Sequence, residues 1–335
     1  MLPAWALLLL AIAACVPCAR AIDLSFNVQM KASPQREDQY CERFFAVPAE
    51  FRGMHVVGFE PLPGSAAHHM ILYWCPQEAR PSQAAEDCTS HERGPGCVNF
   101  AYVWAQNGVP LFFPPHVGIP LGSQGGANSF VLQVHYGFAV PAGFTDTSGV
   151  RLIVSNKRDA AWRMPRVILL APAGGFTLQP GESEIVLGPL TQRNTLSEPL
   201  SLFAVRTHAH IRGLWNDVKV RRGQNVLWTF QRSTRLVQSF APLDEAFRVM
   251  PGDELEFRCA YDTTREARAV REGSTKHDEM CNVVRSCSLW QRPPRRCRQP
   301  ACVLTRAHTR LPAVPVRLPR ARASVADSLA RSVGV

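Results

Sequence analysis

"LSLFAVRTHAHI", residues 200–211, carries clustered and alternating apolar residues with no helical period and closes on a His-x-His pair. On an extended strand, residues i and i+2 leave the same face, so the rings of His208 and His210 can converge on one point, with Arg206 beside His208. Segments of the same kind recur along the chain: "MHVVGFE", "HHMILYW", "SFVLQVHYG", "VRLIVS", "NDVKVRR", "NVLWTFQ" and "ELEFRCAY". Gly, Pro, Asn and Asp clusters such as "PLPG", "QGGAN" and "VMPGDE" separate them. No long stretch keeps a helical apolar repeat, so the sequence predicts an all-β protein built from antiparallel sandwiches. Residues 22 to 284 suffice for two such domains, 22–157 and 158–284, with the boundary in the polar stretch "SNKRDAAWRMP" at 155–165.

The first 21 residues, "MLPAWALLLLAIAACVPCARA", predict a secretory signal cleaved after Ala21, although a basic leading region is missing. The apolar run is too short to span a bilayer and no later segment is longer, so a soluble protein of the secretory pathway is expected, either secreted or in a granule lumen. Removing Cys15 and Cys18 with the signal leaves nine of eleven cysteines. In an oxidising compartment most should pair. Cys41, Cys75, Cys88, Cys97, Cys259 and Cys281 form an even set that spacing alone connects in fifteen ways.

The net charge of +10 invites a nucleic-acid reading until it is located. Residues 285–335 hold eleven arginines, no lysine and one acid, Asp327, so that segment carries the whole excess and the rest is balanced. No nucleic-acid partner is expected. The segment is rich in Arg and Pro, lacks alternation and predicts a disordered tail.

Two further elements add histidines: "HHMILYWC" with His68 and His69, and "LQVHYG" with His135. Two adjacent histidines point to opposite faces of a regular strand. They share a ligand only if the chain is irregular there, which the "PLPGSAA" turn before them permits. Taken singly, such histidines are more often satisfied core or surface residues than metal ligands. Met280, in "DEMCN", reads by itself as core filler.

Together, "HHMILYWC", "FVLQVHYG", "RTHAHIRG" and "DEMCN", in that order, resemble the copper type II, ascorbate-dependent monooxygenases over about residues 22–284. The peptidylglycine alpha-hydroxylating branch is more similar than the dopamine beta-monooxygenase branch. The resemblance implies two jelly-roll-like β-sandwiches, each with one copper, facing across a solvent-filled cleft. His68, His69 and His135 would hold the first copper, which passes electrons. His208, His210 and Met280 would hold the second, where dioxygen binds and the C–H bond breaks. Imidazole suits both copper oxidation states, and a soft thioether favours Cu(I). The resemblance further implies that Arg206 and Asn282 grip the carboxylate of a C-terminal glycine, that Gln133 lies near the first copper, and that Cys41–Cys88, Cys75–Cys97 and Cys259–Cys281 are bridged. Ascorbate is the implied electron donor and dioxygen the co-substrate.

The pattern also departs from the family. Val284 stands where a tyrosine would also touch the substrate carboxylate, and at Arg285 the tail is expected to begin, leaving the second sandwich short of strands and of a cysteine. A cysteine pair of the first domain is missing as well. Three activities remain open: hydroxylation of glycine-extended peptides, with a separate lyase completing amidation; copper binding without turnover; and a dopamine beta-monooxygenase-like hydroxylation.

Overall fold

The computed structural model describes residues 24–78, 88, 97–157, 162–233, 238–273, 275 and 277–289. The predicted signal segment and residues 290–335 of the expected tail lie outside the described residues, as do Cys297 and Cys302. All described residues belong to one compact unit. The protein is all-β; among the described residues every strand pair is antiparallel and the one helical element is a single 3-10 turn at Ala49–Phe51.

The first sandwich contains β1 (Leu24–Gln29), β2 (Gln39–Ala46), β3 (His55–Leu62), β4 (Ala67–Cys75), β5 (Asn99–Ala105), β6 (Leu111–Phe112), β7 (Ile119–Pro120), β8 (Ser129–Tyr136) and β9 (Gly149–Ser155). One sheet runs β1-β9-β3-β6, with β7 also on β3, and the other runs β2-β8-β4-β5. Alternating apolar residues of the two sheets meet in a core that includes Phe59, Tyr102, Phe130 and Tyr136, each essentially inaccessible to water. Removing that much apolar area from water is the main stabilising term.

The second sandwich contains β10 (Arg166–Leu170), β11 (Thr177–Leu178), β12 (Ile185–Arg193), β13 (Leu200–His208), β14 (Gly213–Arg222), β15 (Asn225–Ser233), β16 (Ala241–Val249), β17 (Glu254–Tyr261), β18 (Val270–Arg271) and β19 (Asn282–Leu289). Its sheets run β10-β19-β13-β16 and β12-β17-β14-β15, and β11 pairs with β18 in a separate ribbon. The expected boundary region falls between Ser155, the end of β9, and Arg166, the start of β10.

One expectation is corrected. The chain does not leave the sheet at Arg285: β19 continues to Leu289, paired with β10 on one side and β13 on the other. Arg285, Ser286, Cys287 and Ser288 are all buried. Arg285 and the serines hid this strand, because the apolar pattern stops at Val284 although pairing on both edges continues.

The sheet containing β13 and β19 is covered on both faces. Val205, Val283 and Cys287 pack into the second core, whereas Phe203, Ala204 and Val284 pack against the first sandwich. The rings of Phe113 and Phe203 meet edge to face across this junction, with centroids 5.6 Å apart. Both candidate sites thereby belong to one packed unit.

Candidate metal centres

A one-residue irregularity builds the first cluster. Along β4, Ala67 faces Tyr136 of β8, and His69 faces the very next residue, His135, so His68 is an extra residue bulged from the ladder. A β-bulge re-aims side chains. Here it turns two sequence-adjacent histidines onto one site. Nδ1 of His68 lies 3.3 Å from Nδ1 of His69 and 3.3 Å from Nδ1 of His135. One ligand atom from each of the three rings fits within 4.8 Å of the others.

The tautomer of His135 follows from its partner. Its Nε2 donates to Asp38 Oδ1 at 3.0 Å, which leaves the Nδ1 lone pair facing the other two rings. Asp38 has a left-handed backbone, φ 57°, at the turn entering β2. Tyr40, opposite His135 in the ladder, stacks on its ring at 4.2 Å. Burial lowers the pKa of all three histidines; repulsion within the cluster adds to this at His69 and His135, and Asp38 partly opposes it at His68 and His135. Neutral rings with converging lone pairs fit a cation: the lone pairs repel one another without a shared proton or metal. Gln133, on the same face of β8 as His135, has its amide on buried Glu42 at 2.5 Å.

The second cluster depends on a bulge too. On β13, Leu202 faces Cys287 and Ala204 faces Ser286, so Phe203 is the extra residue. Leu200 and Leu202 point into the second core, but beyond the bulge Ala204 turns to the first sandwich. Arg206 and His208 follow it on that face. Without Phe203 they would point into the apolar core.

The rings of His208 and His210 lie with centroids 5.1 Å apart. His208 Nδ1 donates to Gln238 Oε1, and His210 Nδ1 donates to the Asp278 carbonyl at 3.0 Å. Both Nε2 atoms are left with their lone pairs, the reverse of the first cluster, where Nδ1 faces inward. Met280 is pinned from three directions. Its carbonyl accepts from the Tyr261 hydroxyl at 2.7 Å, its neighbour Cys281 is bridged to Cys259, and buried Glu279 accepts from the backbone N–H groups of His210 and Arg212 at 2.7 and 2.8 Å. Burial raises the Glu279 pKa, against the lowering pull of those N–H groups and of His210. The other disulfides are Cys41–Cys88 and Cys75–Cys97, the pairings that the resemblance implied.

Arg206 is 8 % exposed. Its Nε donates to the Gln238 carbonyl at 2.8 Å and its Nη1 to Asn282 Oδ1 at 3.4 Å. Asn282, opposite His208 in the ladder, also donates to the Met280 sulfur at 3.7 Å. Burial lowers the Arg206 pKa to about 10. The Arg206 guanidinium adds to the lowering of the His69 pKa, so the two clusters lie within electrostatic range. Asp38, Tyr40, Gln238 and Glu279 went unread in the sequence. Each reaches its histidine from another segment, and only the acidic "DE" before Met280 offered a local signal.

The sequence matches the N-terminal domain of the copper type II ascorbate-dependent monooxygenases over residues 24–139 and their C-terminal domain over residues 170–284. The chain belongs to this family. It is 29% identical over 275 residues to the peptidyl-glycine alpha-amidating monooxygenase of Mus musculus, covering 78% of this chain and 26% of that one. DBH-like monooxygenase protein 1 of Gallus gallus is 28% identical over 280 residues, covering 74% and 44%. The tyramine beta-hydroxylase of Caenorhabditis briggsae is 27% identical over 243 residues, covering 68% and 41%. The chain thus spans about a quarter of the length of the amidating enzyme. Copper and ascorbate are the cofactor and reductant of the family, and no helix among the described residues is long and apolar enough to cross a membrane.

Proposed function

We propose that this copper monooxygenase hydroxylates the alpha carbon of a C-terminal glycine in peptides. One oxygen atom of dioxygen would enter the C–H bond and the other would leave as water, with two electrons from ascorbate. His68, His69 and His135 would hold one copper ion, and His208, His210 and Met280 the other. Bound there, copper supplies the electron transfer and oxygen activation that no side chain can.

The observation that carries the reading is Arg206. Its guanidinium is buried, has two neutral acceptors and no carboxylate partner among the described residues, and shares a strand face with His208. A buried guanidinium is stabilised most by a bidentate carboxylate. The terminal carboxylate of a peptide meets that need and leaves its glycine alpha carbon near His208. Asn282 links the arginine to the Met280 sulfur and orients both. The three disulfides suit an oxidising secretory compartment. The hydroxyglycine product would pass to a separate lyase.

Copper-loaded protein given a glycine-extended peptide, ascorbate and dioxygen should yield the hydroxyglycine product by mass spectrometry, and the same peptide ending in an amide should be inert. Turnover of a phenethylamine instead would replace this reading with the amine-hydroxylating one. Val284 favours one second reading: buried opposite Arg206, it offers no hydroxyl to a substrate. Two coppers per chain with no turnover of either substrate would make this a copper-binding protein.

A further inference from the structure

Away from the histidines, a cleft of about 630 Å³, open to solvent on one side, lies at the junction of the sandwiches and is within the size range of small-molecule sites. Its apolar wall includes Trp74, Phe100, Leu196 and Leu200. Leu200 and His208 are opposite ends of β13, roughly 26 Å apart at strand rise. The charged lining is one-sided: Arg166, Arg193 and Arg285 face the cavity and no acid does.

Arg285 is the unusual member. It is 2 % exposed, its Nη2 donates to Gln192 Oε1, and its Nε has no partner. Among the described residues no carboxylate is paired with it. A buried cation with an orphaned donor is costly. An anion reaching this guanidinium through the cleft would offset that cost.

From the cavity and this guanidinium we infer a binding site for an amphipathic monocarboxylate, its head on Arg285 and its aliphatic or aromatic body against Trp74, Phe100 and Leu200. The apolar wall disfavours a bare inorganic anion. The arginine disfavours a neutral lipid.

Equilibrium dialysis of the full chain against labelled octanoate tests this, with octanol as the uncharged control. One octanoate per chain is expected, with octanol at least about tenfold weaker, as for loss of a charge-assisted hydrogen bond. Arg285→Leu should weaken octanoate by about 10- to 100-fold while leaving octanol unchanged. Arg206→Leu should leave octanoate binding intact, which separates this site from the proposed substrate carboxylate site. If Arg285→Leu does not fold, Leu196→Trp, which fills the cavity, decides in its place by abolishing octanoate binding. Equal affinity for octanoate and octanol, or octanoate binding that survives Arg285→Leu or Leu196→Trp, overturns the inference, as does loss on Arg206→Leu.

Discussion

In the first sandwich, β8 is buried at all eight of its positions; in the second, β12 is buried at none of its nine. The main core of the first gathers 32 buried apolar residues, four of them lent by the second sandwich, against 16 in the core of the second. Each sandwich nevertheless presents a histidine cluster, and each does so through a bulge. The difference lies in what holds the histidine-bearing segments beside each bulge. His135 stands on a strand packed over its whole length, so apolar burial fixes it. His208, His210 and Met280 are fixed by polar and covalent ties: Gln238, Glu279, the Tyr261 hydroxyl and the Cys259–Cys281 bridge. β13 is itself buried at seven of its nine positions, so the contrast rests on His210 and Met280, which stand outside the strands and depend on these ties.

The contrast breaks most readily in the core. Phe130→Ala, at a fully buried position of β8, should cost about 3–5 kcal/mol in urea unfolding. Val186→Ala in β12, 44 % exposed, should stay within about 0.5 kcal/mol. Comparable costs at the two positions would mean that the second sandwich is also core-held.

Removing a tether comes next. The Cys259–Cys281 bridge closes a loop across a separation of 22 residues. The double Cys→Ala variant should lose about 3 kcal/mol, since a loop of this size restrains the unfolded chain by that much. With Met280 holding copper as proposed, X-ray absorption should also lose its sulfur neighbour before any imidazole, as Cys281 anchors Met280. A sulfur signal that persists unchanged would show that Glu279 and Tyr261 suffice.

Smaller effects separate the two clusters by the charge of their orienting partners. Asp38→Ala and Gln238→Ala each remove the acceptor that fixes the tautomer of a proposed copper ligand, a change that typically lowers metal affinity or activity by about 10- to 100-fold. The ionised Asp38 should stand at the upper end and the neutral Gln238 at the lower, measured as copper retained against a competing chelator. The reverse order would mean that the second site relies more on its tethers than the hydrogen bonds imply.

How much of this was legible in the sequence depends on whether the signal was local. Period-two patterning marked the strands, because one buried face per strand forces alternation. The His-x-His pair and the motif order marked the histidines. The bulges were not marked: an extra residue has no composition of its own, and Phe203-Ala204-Val205 is as apolar as a regular buried run. The end of β19 was misread at Arg285, where a buried cation looks like the start of a solvated tail. Gln238 and Glu279 act across 30 and 69 residues of sequence, and no spacing rule reaches that far.

The smallest expected signal tests that corrected strand. Cys287, free and buried, faces the second core from β19, and burial pushes its thiol pKa up from 9.0 to about 11. At pH 8 about one thiol in a thousand is then ionised, and thiolate is the reactive form. Iodoacetamide should leave Cys287 unlabelled in the native protein and label it fully in urea, read by peptide mass spectrometry. Because the folded state holds this proton more tightly than the unfolded one, the thiol contributes no pH dependence below pH 9, and it lowers stability progressively as pH rises from 9 towards 11. Cys287→Ser should flatten the stability profile in that window, on top of a pH-independent loss from placing a hydroxyl against the core. Rapid native labelling would mean that β19 frays before Cys287, and the second sandwich would then be held by its tethers almost alone.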